Sequence, residues 1–144
     1  MAQMDQNEIL EKLIKMKKII VKINKMLDPK IENLNYTDIF VFMKITNEEG
    51  ITMTKLSEIT GFSSTLITFT VDELERHNLV ERKKGGDRRS TKVFLSDKGK
   101  MVKNEIRTIT IEKFKNIMKN LNENEKEELI ELFDKIFKIL EKIE

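Results

Sequence analysis

The chain has 144 residues, enough for one domain with a substantial core, and a net charge of only +2, so any case for an anionic partner must rest on where the charge sits. Charged residues make up 36% and hydrophobic ones 39%, with five glycines and one proline, the balance of a folded, mostly helical protein rather than a disordered one. The absence of cysteine excludes disulfide frameworks and thiol chemistry, and the lone His77 excludes a multi-histidine metal centre within one chain; with no phosphate-cradling glycine loop, metal-ligand spacing or paired carboxylates in a plausible cleft either, no catalytic residue, metal or cofactor is expected.

From Asn7 to Leu27, Ile9, Leu13, Met16, Ile20, Ile23 and Leu27 recur at spacings of three and four, which predicts one helix ended by Asp28 and Pro29. A short buried helix follows, with Thr37 as cap and Asp38 as first-turn acid, carrying Ile39, Phe40, Phe42, Met43 and Ile45, and ending at Gly50. Thr52 caps a third helix that stops at Gly61; Ser63 caps a fourth, from Ser64 to about His77. Two helices joined through Thr60, Gly61, Phe62 and Ser63 make a helix-turn-helix. Leu79–Lys83 and Thr91–Leu95 then read as two short strands, with Gly85 and Gly86 supplying positive φ at the hairpin tip.

Ser96 caps a long helix to about Asn120, its stripe running through Met101 or Val102, Ile106, Ile109, Lys113 or Phe114, and Ile117. Asn122 or Asn124 opens a last helix with a wide apolar face of Leu129, Leu132, Phe133, Ile136, Phe137, Leu140 and Ile143. The terminal helices carry more apolar surface than a winged unit spanning 35–95 can cover, so they bury each other across a homodimer, pack back onto their own domain, or meet a helix of another protein. The expected fold is mainly α with a small β-hairpin wing. Residues 1–34 form an N-terminal dimerisation helix, 35–95 the winged helix-turn-helix, and 96–144 the helices completing the dimerisation region. No apolar run approaches the roughly 20 residues of a membrane span and the N-terminus lacks a secretory layout, so a cytoplasmic protein is expected.

Between Arg76 and Lys92 stand seven basic residues, Arg76, Arg82, Lys83, Lys84, Arg88, Arg89 and Lys92, against Glu81 and Asp87. Concentrated cations on a protruding ribbon suit a phosphate surface, because each neutralised phosphate releases condensed counterion. On the fourth helix, Ser64, Thr65, Thr68 and Asp72 lie near one polar face while Leu66 or Ile67, Val71 and Leu74 form the buried one. Phe69 either contacts a thymine methyl or packs against the wing or the third helix, and His77 suits the negative end of the helix dipole.

The run D-R-R-S-T-K-V-F-L-S-D-K-G from Asp87 to Gly99 resembles the wing and following helix start of the MarR family of regulators, and Leu56 to Val80, with Ser63, Leu74, Glu75 and Leu79, is similar to that family's helix-turn-helix. The resemblance implies a dimer that lays each recognition helix in a major groove and a wing arginine, here Arg89, in the adjacent minor groove. A carboxylate two residues away, Asp87, would hold that guanidinium in a fixed fork. The DNA-binding set is thus Lys55, Ser63, Ser64, Thr65, Thr68, Phe69, Lys84, Asp87, Arg88 and Arg89. The resemblance also implies a small aromatic or phenolic effector, for which Lys17, Tyr36, Phe40 and Met43 are the candidates, although such residues at helical spacing also serve as core. The expected function is a homodimeric repressor on a pseudo-palindromic operator; an architectural DNA-coating protein or a protein-interaction module is the alternative.

Overall fold

The computed structural model describes residues 2–46, 49–87 and 89–143, with the backbone alone at residues 2–4. Among these lie six helices and three strands, in the order α1 (Ala2–Leu27), α2 (Tyr36–Lys44), β1 (Ile51–Thr52), α3 (Met53–Thr60), α4 (Ser64–Arg76), β2 (Val80–Lys83), β3 (Lys92–Leu95), α5 (Asp97–Met118) and α6 (Glu123–Leu140). The architecture is the expected one, mainly helical with a small sheet behind a helix-turn-helix. The chain divides into two compact units, residues 1–110 and 111–144.

In the first unit the core runs from Leu34 to Ile106 and joins Val41, Phe42 and Ile45 of the α2 region, Leu56 of α3, Ile67, Val71 and Leu74 of α4, and Val93 and Leu95 of β3. Local chemistry sets where each helix begins. Thr52 Oγ1 accepts from Lys55 N–H at 3.1 Å, and Ser63 Oγ accepts from Leu66 N–H at 3.2 Å, so each hydroxyl satisfies an otherwise unpaired first-turn donor. Ser96 Oγ accepts from Gly99 N–H at 2.9 Å and donates to Asn78 O at 2.6 Å, tying the start of α5 to the end of the α4 region. Lys103 on α5 donates to Ile45 O at 2.6 Å; burial and neighbouring Arg107 hold its ammonium below the usual lysine pKa.

Several local expectations are corrected. The cap of α2 is Asn35, not Thr37, because the helix already begins at Tyr36: Asn35 and Asp38 exchange side-chain-to-backbone hydrogen bonds of 2.8 and 3.2 Å, a reciprocal box. This helix also ends at Lys44, well before Gly50, because Ile45 already adopts extended backbone (ψ 128). The wing sheet has a third strand. β1 pairs with β3 through Ile51↔Val93 and Thr52↔Lys92, so β3 is central and the order is β1-β3-β2.

The second unit contains α6, opened by Asn122, whose box with Glu125 has hydrogen bonds of 2.8 and 3.0 Å. It buries no residue, and Ile130, Leu132, Phe137 and Ile139 are all about half exposed or more. In the first unit the same is true of Ile9, Leu10, Leu13 and Ile14 on α1. Among the described residues, no helix is long and apolar enough to cross a membrane.

Candidate nucleic-acid interface

The turn between α3 and α4 requires a left-handed residue, and Gly61 supplies it with φ 74 while its N–H closes onto Ser57 O at 2.9 Å. Thr60 completes the corner by donating to Leu56 O at 2.6 Å and accepting from Phe62 N–H at 3.2 Å. Helix α4 buries Ile67, Thr70, Val71 and Leu74. That choice of phase resolves the ambiguity between Leu66 and Ile67 and places Thr65, Leu66, Phe69 and Asp72 on the open side. Phe69 is 63% exposed: it faces solvent rather than the core, the wing or α3. Ser64 is likewise exposed, while Thr68 is half-buried and donates its hydroxyl to Ser64 O at 2.9 Å.

The wing is built on strand alternation. Val80 and Arg82 on β2 share a face with their partners Leu95 and Val93, and the other face carries the pairs Glu81–Phe94 and Lys83–Lys92. Arg82 is therefore directed inward, where its guanidinium meets the α4 carboxylates: Nη2 lies 2.5 Å from Asp72 Oδ1 and 3.9 Å from Glu75 Oε1, with the side chain only 14% exposed. Arg76 is also committed, to Glu73 at 2.6 Å. Of the seven basic residues, Arg82 is thus structural and turned inward, while Arg76 keeps an exposed side chain that is paired with Glu73. The ones left on the outer face include Lys83 and Lys92, like charges directly opposite each other, an arrangement that costs stability in a free sheet. Lys83 Nζ sits 4.8 Å from the Phe94 ring centre, which offsets part of that repulsion.

At the tip, Lys84, Asp87 and Arg89 are exposed, and Arg88 lies outside the described residues. The Asp87 carboxylate takes a different role from the expected fork on Arg89. Its Oδ1 accepts from Ser90 N–H at 3.1 Å, and its carbonyl accepts from Thr91 N–H at 3.1 Å and Thr91 Oγ1 at 2.9 Å, so it fixes the turn that presents the arginine. Neither Gly85 nor Gly86 has positive φ; what Gly85 provides is room, because a Cβ there would come within 1.9 Å of Ser90 Oγ. Lys55 on α3 is exposed, 3.6 Å from Glu58. At the other end of α4, His77 is the C-cap residue, its imidazole 3.7 Å from Glu32 and 3.9 Å from Glu73.

A separate cavity of about 440 Å³ lies in the first unit, lined by Val21, Asn24, Lys25, Leu27, Asp28, Pro29, Tyr36, Ile39 and Thr110. Of the four residues expected around an effector, only Tyr36 lines it. Phe40 turns instead toward Phe62, with ring centres 5.6 Å apart; Met43 packs against the core; and Lys17 is exposed on α1.

Sequence reasoning missed the Arg82–Asp72 clamp and the exposed Leu66. The inward position of Arg82 is implied by strand alternation with Val80; the phase of α4 becomes clear only once its packing partners are known.

Residues 34–91 match the MarR family. The HTH-type transcriptional regulator SarZ of Staphylococcus aureus is 30% identical over 115 residues, which cover 79% of this chain and 75% of SarZ. Among solved structures, the transcriptional regulator BldR from Sulfolobus solfataricus is similar with a TM-score of 0.70 and 26% identity, covering 96% of each chain. A MarR mutant from E. coli complexed with operator DNA has a TM-score of 0.76 at 21% identity, covering 90% of this chain and 96% of that one. Staphylococcus aureus MarR in complex with salicylate and kanamycin has a TM-score of 0.73 at 17% identity, covering 98% and 95%. The last two likenesses concern the fold alone. With its helix-turn-helix, basic wing and a relative of this identity and coverage, the chain belongs to the MarR family: it is a DNA-binding transcriptional regulator and not an enzyme.

Proposed function

We propose that the protein is a homodimeric repressor of a pseudo-palindromic operator, with α4 in the major groove and Arg89 in the adjacent minor groove. The observation that carries this reading is the bracing of the wing against α4: the Arg82–Asp72 ion pair fixes the hairpin to the helix, so Lys84 and Arg89 are presented together with the open face of α4. Lys55, Ser63, Ser64, Thr65, Thr68, Phe69, Arg88 and Asp87 complete the interface, the last by shaping the turn. Short hydroxyls and backbone amides position the protein on phosphates, while the wing supplies most of the electrostatic attraction.

Dimerisation is supported by the bare apolar faces of α1 and α6, which a single chain leaves in water at substantial cost. Residues 1–34 and 96–144 make up this dimerisation region around the DNA-binding domain at 35–95. Two copies would place their recognition helices about one helical turn of DNA apart. Relief by a small aromatic or phenolic anion is supported by the cavity beside Tyr36, whose apolar lining is accompanied by Asn24, Lys25 and Thr110. The similar fold in complex with salicylate and kanamycin points the same way.

Fluorescence anisotropy of labelled duplex, titrated with the full chain at several salt concentrations, tests the reading. Affinity is expected to fall steeply with salt, to exceed that for unrelated duplex, and to weaken when salicylate is added. Equal affinity for all duplexes would instead favour a DNA-coating role.

A further inference from the structure

We infer that Phe69 and Leu66 read the 5-methyl groups of thymines in the major groove, and that this apolar contact is the main base-specific element of the recognition helix. The inference rests on the proposed placement of α4 in that groove. Leu66 is 37% and Phe69 63% exposed, one turn apart on the side of α4 opposite its buried residues. An isolated large aromatic on a solvated helix exposes area that a core position would have covered, and Phe69 has no polar atom with which to form an alternative contact.

The rest of this surface reads hydrogen-bonding patterns poorly: the exposed hydroxyls of Ser64 and Thr65 are single rotatable groups that donate or accept and so fit either kind of base edge. The one cation of α4, Arg76, lies in its last turn and pairs with Glu73 at 2.6 Å. The Asp72 carboxylate is held by Arg82, the Thr68 hydroxyl donates to its own helix, and Ser63 Oγ accepts from Leu66 N–H. No residue of α4 is an asparagine, glutamine or lysine, so the bidentate pairings with adenine are unavailable to it, and the usual contact with guanine is left to Arg76 alone, at the far end of the helix from its N-terminal turns. In the major groove, the feature that an apolar side chain can recognise is the methyl group of thymine. Leu66 and Phe69 are three residues apart, about 4.5 Å along the helix axis, so the pair can address adjacent base steps.

The test begins with the full chain and a preferred duplex selected from a randomised library. Each thymine of a half-site is then replaced by deoxyuridine, which removes the methyl group and leaves every hydrogen-bonding group in place. Binding is expected to weaken about fourfold at one or two positions, the factor that burying one methyl-sized group supplies. The penalty should vanish in Phe69→Ala, an exposed position whose truncation leaves the core intact, and a C·G pair placed there should bind better when its cytosine carries a 5-methyl group. Specific, salt-dependent binding with no deoxyuridine penalty would overturn the inference and leave the proposed function standing. A penalty that persists unchanged in both Phe69→Ala and Leu66→Ala would overturn it equally. Failure to select any preferred duplex would instead overturn the specific-regulator reading on which it rests.

Discussion

The wing and the recognition helix are neighbours, yet they handle charge in opposite ways. On α4 the ionic groups are occupied: Arg76 holds Glu73, and Asp72 holds Arg82. On the hairpin, Lys83 and Lys92 face each other on the outer side and Lys84 and Arg89 project from the tip. The same chain thus spends its salt bridges on fixing geometry and leaves its repelling cations where a polyanion would relieve them. A concentration of positive charge in sequence is therefore not the same as positive potential on the surface; pairing divides it.

The largest expected effect separates the two faces of α4 itself. Ile67→Ala removes a fully buried side chain and should cost about 2–5 kcal/mol in urea unfolding, while Phe69→Ala on the open face should change stability by less than about 0.5 kcal/mol. Comparable losses would mean that Phe69 packs after all. Next, Arg89→Ala should weaken operator binding about tenfold or more, against about twofold for Thr68→Ala, as measured by anisotropy. Equal losses would erase the contrast between wing and helix. Smaller again is the clamp: a double-mutant cycle of Arg82→Met and Asp72→Asn, read by chemical denaturation, should give a coupling on the order of 1 kcal/mol, tempered by the 60% exposure of Asp72. A coupling of zero would leave the wing unbraced.

Much of this architecture was legible because it is written in short-range chemistry. Thr52, Ser63 and Ser96 cap their helices as their side chains dictate, and Asn122, one of two candidates, proves to be the cap of α6. What escaped depended on residues distant in sequence. Strand β1 has two residues and exists only because Val93 and Lys92, some forty positions later, pair with it. Whether Leu66 or Ile67 faces inward depends on how α4 packs against α2 and α3, which a stripe alone does not decide. Asp87 looked like a partner for the arginine two residues on, but a carboxylate at a tight turn competes first for the nearby backbone amide, here Ser90 N–H at 3.1 Å. The effector candidates suffered similarly: Tyr36 and Phe40 are one turn apart on α2, yet only Tyr36 borders the cavity.

The central claim, that the wing supplies the electrostatic grip while the helix does not, is tested most directly by the salt dependence of duplex binding in two variants. Each phosphate contact contributes a slope of about −0.9 to log affinity against log salt. Lys84→Ala/Arg89→Ala should flatten the slope by about 2 per subunit, and Arg76→Ala, whose guanidinium already serves Glu73, should leave it unchanged. A slope flattened by Arg76→Ala and untouched by the wing substitutions would contradict the account.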